Sequence, residues 1–297
     1  MSTRPSASLV VGCTALSMLA FAGNSLLCRL ALRDTTIDAA SFTTVRLLAG
    51  AITLWVLVRL RGGASRAPEA TLTTGAWSGN WRSALALFAY AILFSYAYAQ
   101  LSAATGALLL FGAVQVTMIG RGLWLGERPH LVQTAGYLIA VAGLIGMLLP
   151  GLSAPPLVGA LLMIASGAAW GIYSIRAKGA RDPVRANAGN FLRASVCCVP
   201  IYLAALPWAS HDAAGMLYAV LSGAIASALG YAIWYVALRG LTVTTAGLVQ
   251  LSVPVIAAAG GVVLLGEGVT WRLVVASVAV LGGVGMAMAY RRSERPQ

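Results

Sequence analysis

Titratable side chains are scarce in this chain of 297 residues: eight Asp and Glu, two His and four Cys. Charged residues of either sign make up only 9%, against about 25% for a soluble domain, whose surface must stay solvated. A water-facing globule of this size is excluded. Disorder and coiled coil are excluded too, since they need polar or heptad-patterned composition. Cys13, Cys28, Cys197 and Cys198 all lie in apolar runs, without zinc-type Cys/His spacing or a disulfide framework. Packing is their expected role. Neither a G-x-x-x-x-G-K-[ST] phosphate loop nor an H-E-x-x-H zinc helix occurs. The sequence therefore calls for no cofactor, no metal and no ATP motor.

Apolar sequence fills the chain instead: 59% of residues are hydrophobic and the mean hydropathy is +0.84. A helix needs about 20 apolar residues to cross the hydrocarbon core. Runs between turn or charge signals give ten such segments: 8–32, 38–60, 82–101, 103–124, 130–150, 156–178, 187–207, 213–238, 242–264 and 270–290. Arg33-Asp34, Gly62-Gly63, Arg128-Pro129, Pro155-Pro156 and Asp182-Pro183 mark breaks between them. The first run follows Arg4 and exceeds the length of a signal-peptide core, so it reads as an uncleaved span. The expected fold class is an all-α integral membrane protein of ten transmembrane helices.

The net charge of +12 would suggest nucleic acid in a soluble domain. Here membrane topology accounts for it. With the N-terminus in the cytoplasm, fifteen Lys and Arg fall on the inside and only Arg29, Arg33 and Arg272 outside. This bias places both termini in the cytoplasm, with membrane lipid as the surrounding partner and no nucleic acid.

A shift of 140 residues brings spans three to five over spans eight to ten. Leu125-Gly126-Glu127 lies over Leu265-Gly266-Glu267, and the turn at 97–105 over the Thr-rich turn at 237–245. A slightly larger shift superposes Arg46 on Arg193. Five spans per repeat is odd, so the second copy, 156–290, must sit inverted relative to the first, 8–150. Inverted repeats recur in secondary transporters, whose two halves exchange conformations around a central site.

The five-plus-five spans, the polar turns leading into spans four and nine, and the Leu-Gly-Glu closing them resemble the EamA branch of the drug/metabolite transporter superfamily. The resemblance covers about 8–290. It implies two EamA-like halves and a carrier rather than an enzyme. It also implies a cavity lined by spans one, three, four, six, eight and nine, with spans five and ten as scaffold. The sequence is similar to inner-membrane exporters of aromatic amino acids in that branch. It departs from the family in one place: Pro254 of span nine has Val114 as its counterpart in span four.

Polar residues in mid-span point to the solute site, because they are costly in lipid. Asn24, Gln115, Tyr173 and Gln250 qualify, and Phe21 and Trp170 hold matching places in the two halves. Tyr90, Phe94 and Tyr98 recur every four residues on span three, and Ser227, Tyr231, Trp234 and Tyr235 cluster on span eight. These are the expected cavity walls, although belt or packing roles suit several of the rings equally well. Arg46 and Arg193 are expected to be structural anchors that snorkel about two turns to the headgroups. Glu127 and Glu267 are expected to stabilise turns, and Pro200 and Pro254 to bend their helices.

No Asp, Glu or His stands in the middle of any span, so no proton relay is visible, and facilitated flow stands as an alternative to proton coupling. The same absence leaves the centre without an evident counter-charge and favours a small, net-neutral solute such as an aromatic or neutral amino acid. A membrane enzyme acting on lipid-like substrates would need clustered carboxylates or histidines. Asp34, Asp38 and Asp182 fall on opposite faces and form no such cluster. A channel would need polar stripes along several spans, and the polar residues are scattered. The sequence leaves the oligomeric state open and is compatible with a monomer.

Overall fold

A computed structural model of the protein describes residues 6–62, 78–126, 130–151, 154–177, 182–241 and 249–293. The described residues are helical throughout, with no strand among them. The helices are α1 (Ala7–Asp34), α2 (Ala39–Gly62), α3 (Trp81–Tyr98), α4 (Ala103–Trp124), α5 (Leu131–Leu148), α6 (Leu157–Ala177) and α7 (Pro183–Ala205). They continue as α8 (Ala213–Leu238), α9 (Ser252–Leu265) and α10 (Trp271–Ser293).

Polar caps start these helices where the sequence has breaks. Ser6, Asn80, Ser102, Asp182 and Asp212 each accept a hydrogen bond from the first turn that follows, satisfying donors that no preceding turn can take. His130 and Gln133 form a reciprocal capping box on α5. Pro183, inside the break expected between spans six and seven, is the first residue of α7, where its missing N–H costs nothing.

Among the described residues, seven helices are long and apolar enough to cross a membrane: α1, α2, α4, α5, α6, α7 and α8. The protein is therefore a multi-pass membrane protein. The expected third span, α3, is diluted by Arg82, two serines and three tyrosines within its 18 residues. The expected ninth span is described only from residue 249 onward and turns at Leu251 before α9 begins. The tenth is represented by a shorter apolar stretch, Trp271–Ala287.

Two prolines that the sequence places in mid-span behave differently. Pro200 lies inside α7. Pro254 stands in the first turn of α9, three residues after the turn at Leu251 that separates α9 from the helical residues 249–250, a position where proline is tolerated.

α5 and α10 form the most intimate pair. A Cβ on Gly136 would lie 2.4 Å from the Gly283 carbonyl, and one on Gly143 would meet Ala279 at 2.7 Å. Gly146 and Gly285, on the same two helices, have nothing within 4 Å. α6 lies against α3 and α4, while α1 lies against α8 and α9. α2 packs on α7 and α8, α3 on α7, and α4 on α9. Trp124 and Trp208 are exposed near helix ends, as belt residues would be. Trp55 and Trp124 are each covered by an arginine one turn away, Arg59 at 5.0 Å and Arg121 at 4.7 Å.

Candidate functional site

The middle of the bundle holds a narrow cavity lined by Phe21, Asn24, Ser25, Tyr90, Phe94, Leu110, Phe111, Trp170 and Tyr231. These residues come from α1, α3, α4, α6 and α8. The space accommodates about one or two waters, far less than a metabolite. Its aromatic wall is continuous. Trp170 stands 4.8 Å from Tyr90 and 4.9 Å from Tyr231, centroid to centroid, and Phe21 is 5.8 Å edge-on from Tyr231. Tilted and edge-to-face ring pairs of this kind are favourable arrangements.

A polar network lies against this wall. The Arg46 guanidinium donates from Nη2 to the Tyr90 hydroxyl at 2.9 Å and from Nε to Ser227 Oγ at 3.4 Å. Asn24 Nδ2 donates to the same Tyr90 oxygen at 3.1 Å, and Ser222 donates to Asn24 Oδ1 at 2.6 Å. Four helices, α1, α2, α3 and α8, are thus tied through one phenol. Local structure makes this possible on the α8 side. Residues Ser222–Leu229 wind as a π-helix, a form that recurs at functional sites. Gly223 lets α8 approach closely, since a Cβ there would lie 2.0 Å from the Arg46 carbonyl.

Arg46 overturns two expectations. It is 1% exposed, so it does not snorkel to the headgroups, and it puts a cation beside a centre expected to lack one. Its guanidinium carbon lies 5.2 Å from the Tyr90 ring centre and 4.9 Å from that of Phe94. Nη1 is buried with no hydrogen-bond partner among the described residues, as is Ser25 Oγ on the cavity wall. An orphaned buried donor costs about 1–3 kcal/mol, and more when charged. Arg193, its counterpart in the sequence repeat, is only half-buried. It donates to the Gly189 and Ser78 carbonyls at 2.9 and 3.3 Å and lies 6.0 Å from the Trp81 ring.

Of the residues predicted from sequence, Phe21, Asn24, Tyr90, Phe94, Trp170 and Tyr231 line the cavity together. Trp234 backs it, edge-on to Phe21 at 5.9 Å. Tyr173 sits behind Trp170, donates to Asn187 Oδ1, and accepts from Asn190 Nδ2 at 3.4 Å. Tyr98 is wholly buried against Phe94 and beneath Gly106 rather than on the wall. Gln115 is buried on α4 and Gln250 half-buried just before α9, both away from the cavity. Ser25, Leu110 and Phe111 line it unpredicted. Ser25 could have been found beside Asn24, whereas Leu110 and Phe111 carry no signal in an all-apolar helix.

Glu267 does more than the local turn expected of it. Its backbone N–H closes α9 on Gly261 at 3.0 Å after Gly266, at φ +60°. Its carboxylate pairs with Arg29 at 2.9 Å and accepts from the Ala103 N–H at 2.7 Å. Glu127 lies outside the described residues. No group of three or more His, Cys, Asp or Glu capable of holding a metal occurs among the described residues.

The sequence of the EamA-like transporter family matches this chain twice, over residues 9–149 and 157–289. The chain belongs to the EamA-like transporter family. A Pseudomonas aeruginosa relative, uncharacterized protein PA1977, is 55% identical over 278 residues, covering 94% of each chain. A solved crystal structure of a protein superposes with a TM-score of 0.67 at 19% identity, over 98% of this chain and 100% of that one. That likeness speaks to the fold. Family membership makes this EamA-like chain a membrane transporter by fold and family.

Proposed function

We propose that this EamA-like protein is an inner-membrane carrier that exports small amphipathic metabolites, aromatic and neutral amino acids among them, by alternating access. The carrying observation is the narrow aromatic cavity at the centre of the bundle, walled by helices from both halves of the chain. The substrate class also leans on the sequence's resemblance to the aromatic amino-acid exporter YddG.

Two inverted five-helix halves, 8–150 and 156–290, are part of this reading. The two family matches support it, and so does the helix pairing. Exchanging α1–α5 with α6–α10 turns the α3–α6 contact into α8–α1, α4–α6 into α9–α1, and α2–α8 into α7–α3, all of which occur. The pairs α5–α10, α2–α7 and α4–α9 map onto themselves. Such exchange symmetry suits a carrier whose halves swap conformations. The Lys and Arg bias puts both termini in the cytoplasm. Among the described residues, no acidic or histidine side chain lines the cavity, which favours flow down the solute's own gradient over proton coupling.

The test is flux into proteoliposomes of the purified protein, using radiolabelled aromatic and neutral amino acids and related carboxylates, with and without an imposed pH gradient. Saturable flux above protein-free liposomes, indifferent to the gradient, is expected. Flux that requires the gradient would overturn the facilitator; no flux of any member of the panel would overturn the carrier of this substrate class.

A further inference from the structure

We propose that Arg46, with Ser25, is the anion-recognising group of the cavity, and that the solute it selects is an aryl or similarly apolar monocarboxylate. This deepens the carrier reading above and rests on it. Arg46 is not itself on the cavity lining: it is buried between α2, α3 and α8 against the rings of Tyr90 and Phe94, which are, with Nη1 unpartnered among the described residues. Ser25 Oγ, which has no hydrogen bond of good geometry but neighbours the Tyr98 hydroxyl, opens onto the cavity. Buried donors left unmatched in an otherwise satisfied network mark a place where a ligand completes the set.

Charge decides the sign of that ligand. The acidic side chains of the chain are Asp34, Asp38, Glu69, Glu127, Asp182, Asp212, Glu267 and Glu294; among the described residues, none lies in α2, α3 or α8 or on the cavity wall. The Tyr90 and Phe94 rings offset part of the guanidinium charge but cannot neutralise it. The site therefore carries one uncompensated positive charge, in a low-dielectric interior that strengthens every electrostatic interaction. A monocarboxylate brings the charge to zero. An amine doubles it. An amino-acid zwitterion supplies the carboxylate but leaves its ammonium without an anion, so a deaminated acid fits better than the parent amino acid. The body is set by Phe21, Phe94, Phe111, Trp170 and Tyr231, which offer apolar ring faces.

The test measures binding to the purified protein in lipid nanodiscs by titration calorimetry, with phenylpropionate, phenylpropionamide, phenylalanine and phenylethylamine. The acid should bind about 10–100-fold tighter than the amide, the difference a charge-assisted hydrogen bond makes. Phenylalanine should fall between them, and the amine should bind most weakly. Arg46→Gln should bring acid and amide together. Arg46→Lys, which keeps the charge and loses the fork, should retain part of the preference and guards against a folding defect in the first variant. Equal binding of acid and amide by the wild-type protein would overturn the proposal, as would an acid preference that survives in Arg46→Gln. Chloride or sulfate alone competing as well as the acid would also overturn it, by making this an inorganic-anion site. Flux of the same compounds separates the two readings. Acid-selective binding without flux above protein-free liposomes would sink the carrier and leave the anion site. Flux of the amide and amine at the acid's rate would sink the anion site and leave the carrier.

Discussion

The Glu267 carboxylate and the Arg29 guanidinium, 238 residues apart, meet at 2.9 Å with both side chains largely buried. The second carboxylate oxygen caps α4 at Ala103, and Arg29 also donates to the Tyr98 carbonyl at 3.0 Å. One ion pair thus joins the end of α1, the turn between α3 and α4, and the turn after α9. Glu267→Gln keeps the shape and removes the charge, so it should lower stability by about 1.5–3 kcal/mol, the range for hydrogen bonds to charged groups. Thermal unfolding of Glu267→Gln, Arg29→Gln and the double variant in one detergent checks this. Additive losses would refute the coupling.

Tyr90 is the shared acceptor of Asn24 and Arg46. Tyr90→Phe leaves two buried donors without a partner while hardly changing the packing, so a loss of about 1–3 kcal/mol is expected. Solute affinity should fall in the same variant. Full retention of both stability and affinity would show that the phenol oxygen holds nothing together.

The α5–α10 seam depends on glycine for space. Gly283→Val drives a side chain toward the Gly136 carbonyl and should destabilise by at least about 1–3 kcal/mol, as overpacking does. Gly285→Ala, two residues away and facing nothing within 4 Å, should stay within about 0.5 kcal/mol of wild type. Similar melting temperatures for the two variants would contradict this packing.

Acid should weaken the joint between α1, α2 and α8. Asp212 accepts from the Gly215 and Thr36 N–H groups, and these bonds hold its carboxyl down at about 2. Burial pushes the Asp38 carboxyl up, but hydrogen bonds from Ser41, Ser210 and Ala40 outweigh it and keep it below its ordinary value. A carboxyl depressed by folding adds stability that is complete above its unfolded value of about 3.9 and is lost as pH falls through the folded value. The contribution of Asp212 should therefore disappear between about pH 4 and pH 2. Unfolding followed against pH should show a shallower acid decline in Asp212→Asn; a decline as steep as that of the wild-type protein would rule the joint out.

Much of the architecture was legible because the bilayer imposes a length. Apolar runs near 20 residues, broken at signals such as Arg33-Asp34 and Asp182-Pro183, placed most helices within a few residues. The aromatic wall was legible in part, because Tyr90 and Phe94 repeat at one helical turn and Phe21 matches Trp170 between the halves. Arg46 was misread for a physical reason. Distance along a helix tells how far an arginine could reach, but not which neighbouring helices surround it. Burial by α3 and α8 depends on Gly223 and on the local winding of α8, and neither announces itself in composition. Tyr98 was misplaced because a four-residue spacing runs slightly off a single helical face, turning the third ring toward Gly106 instead of the cavity.

The wide turns of α8 have a mechanical consequence. Each residue of an ordinary helix turns the chain by about 100°. If the stretch Ser222–Leu229 rewound by one residue, everything after it would swing through that angle. Tyr231 would leave the wall and Ser227 would leave Arg46. A single helix can therefore act as a rotary catch, withdrawing the aromatic side of the chamber and one hydrogen bond to its buried cation in the same stroke.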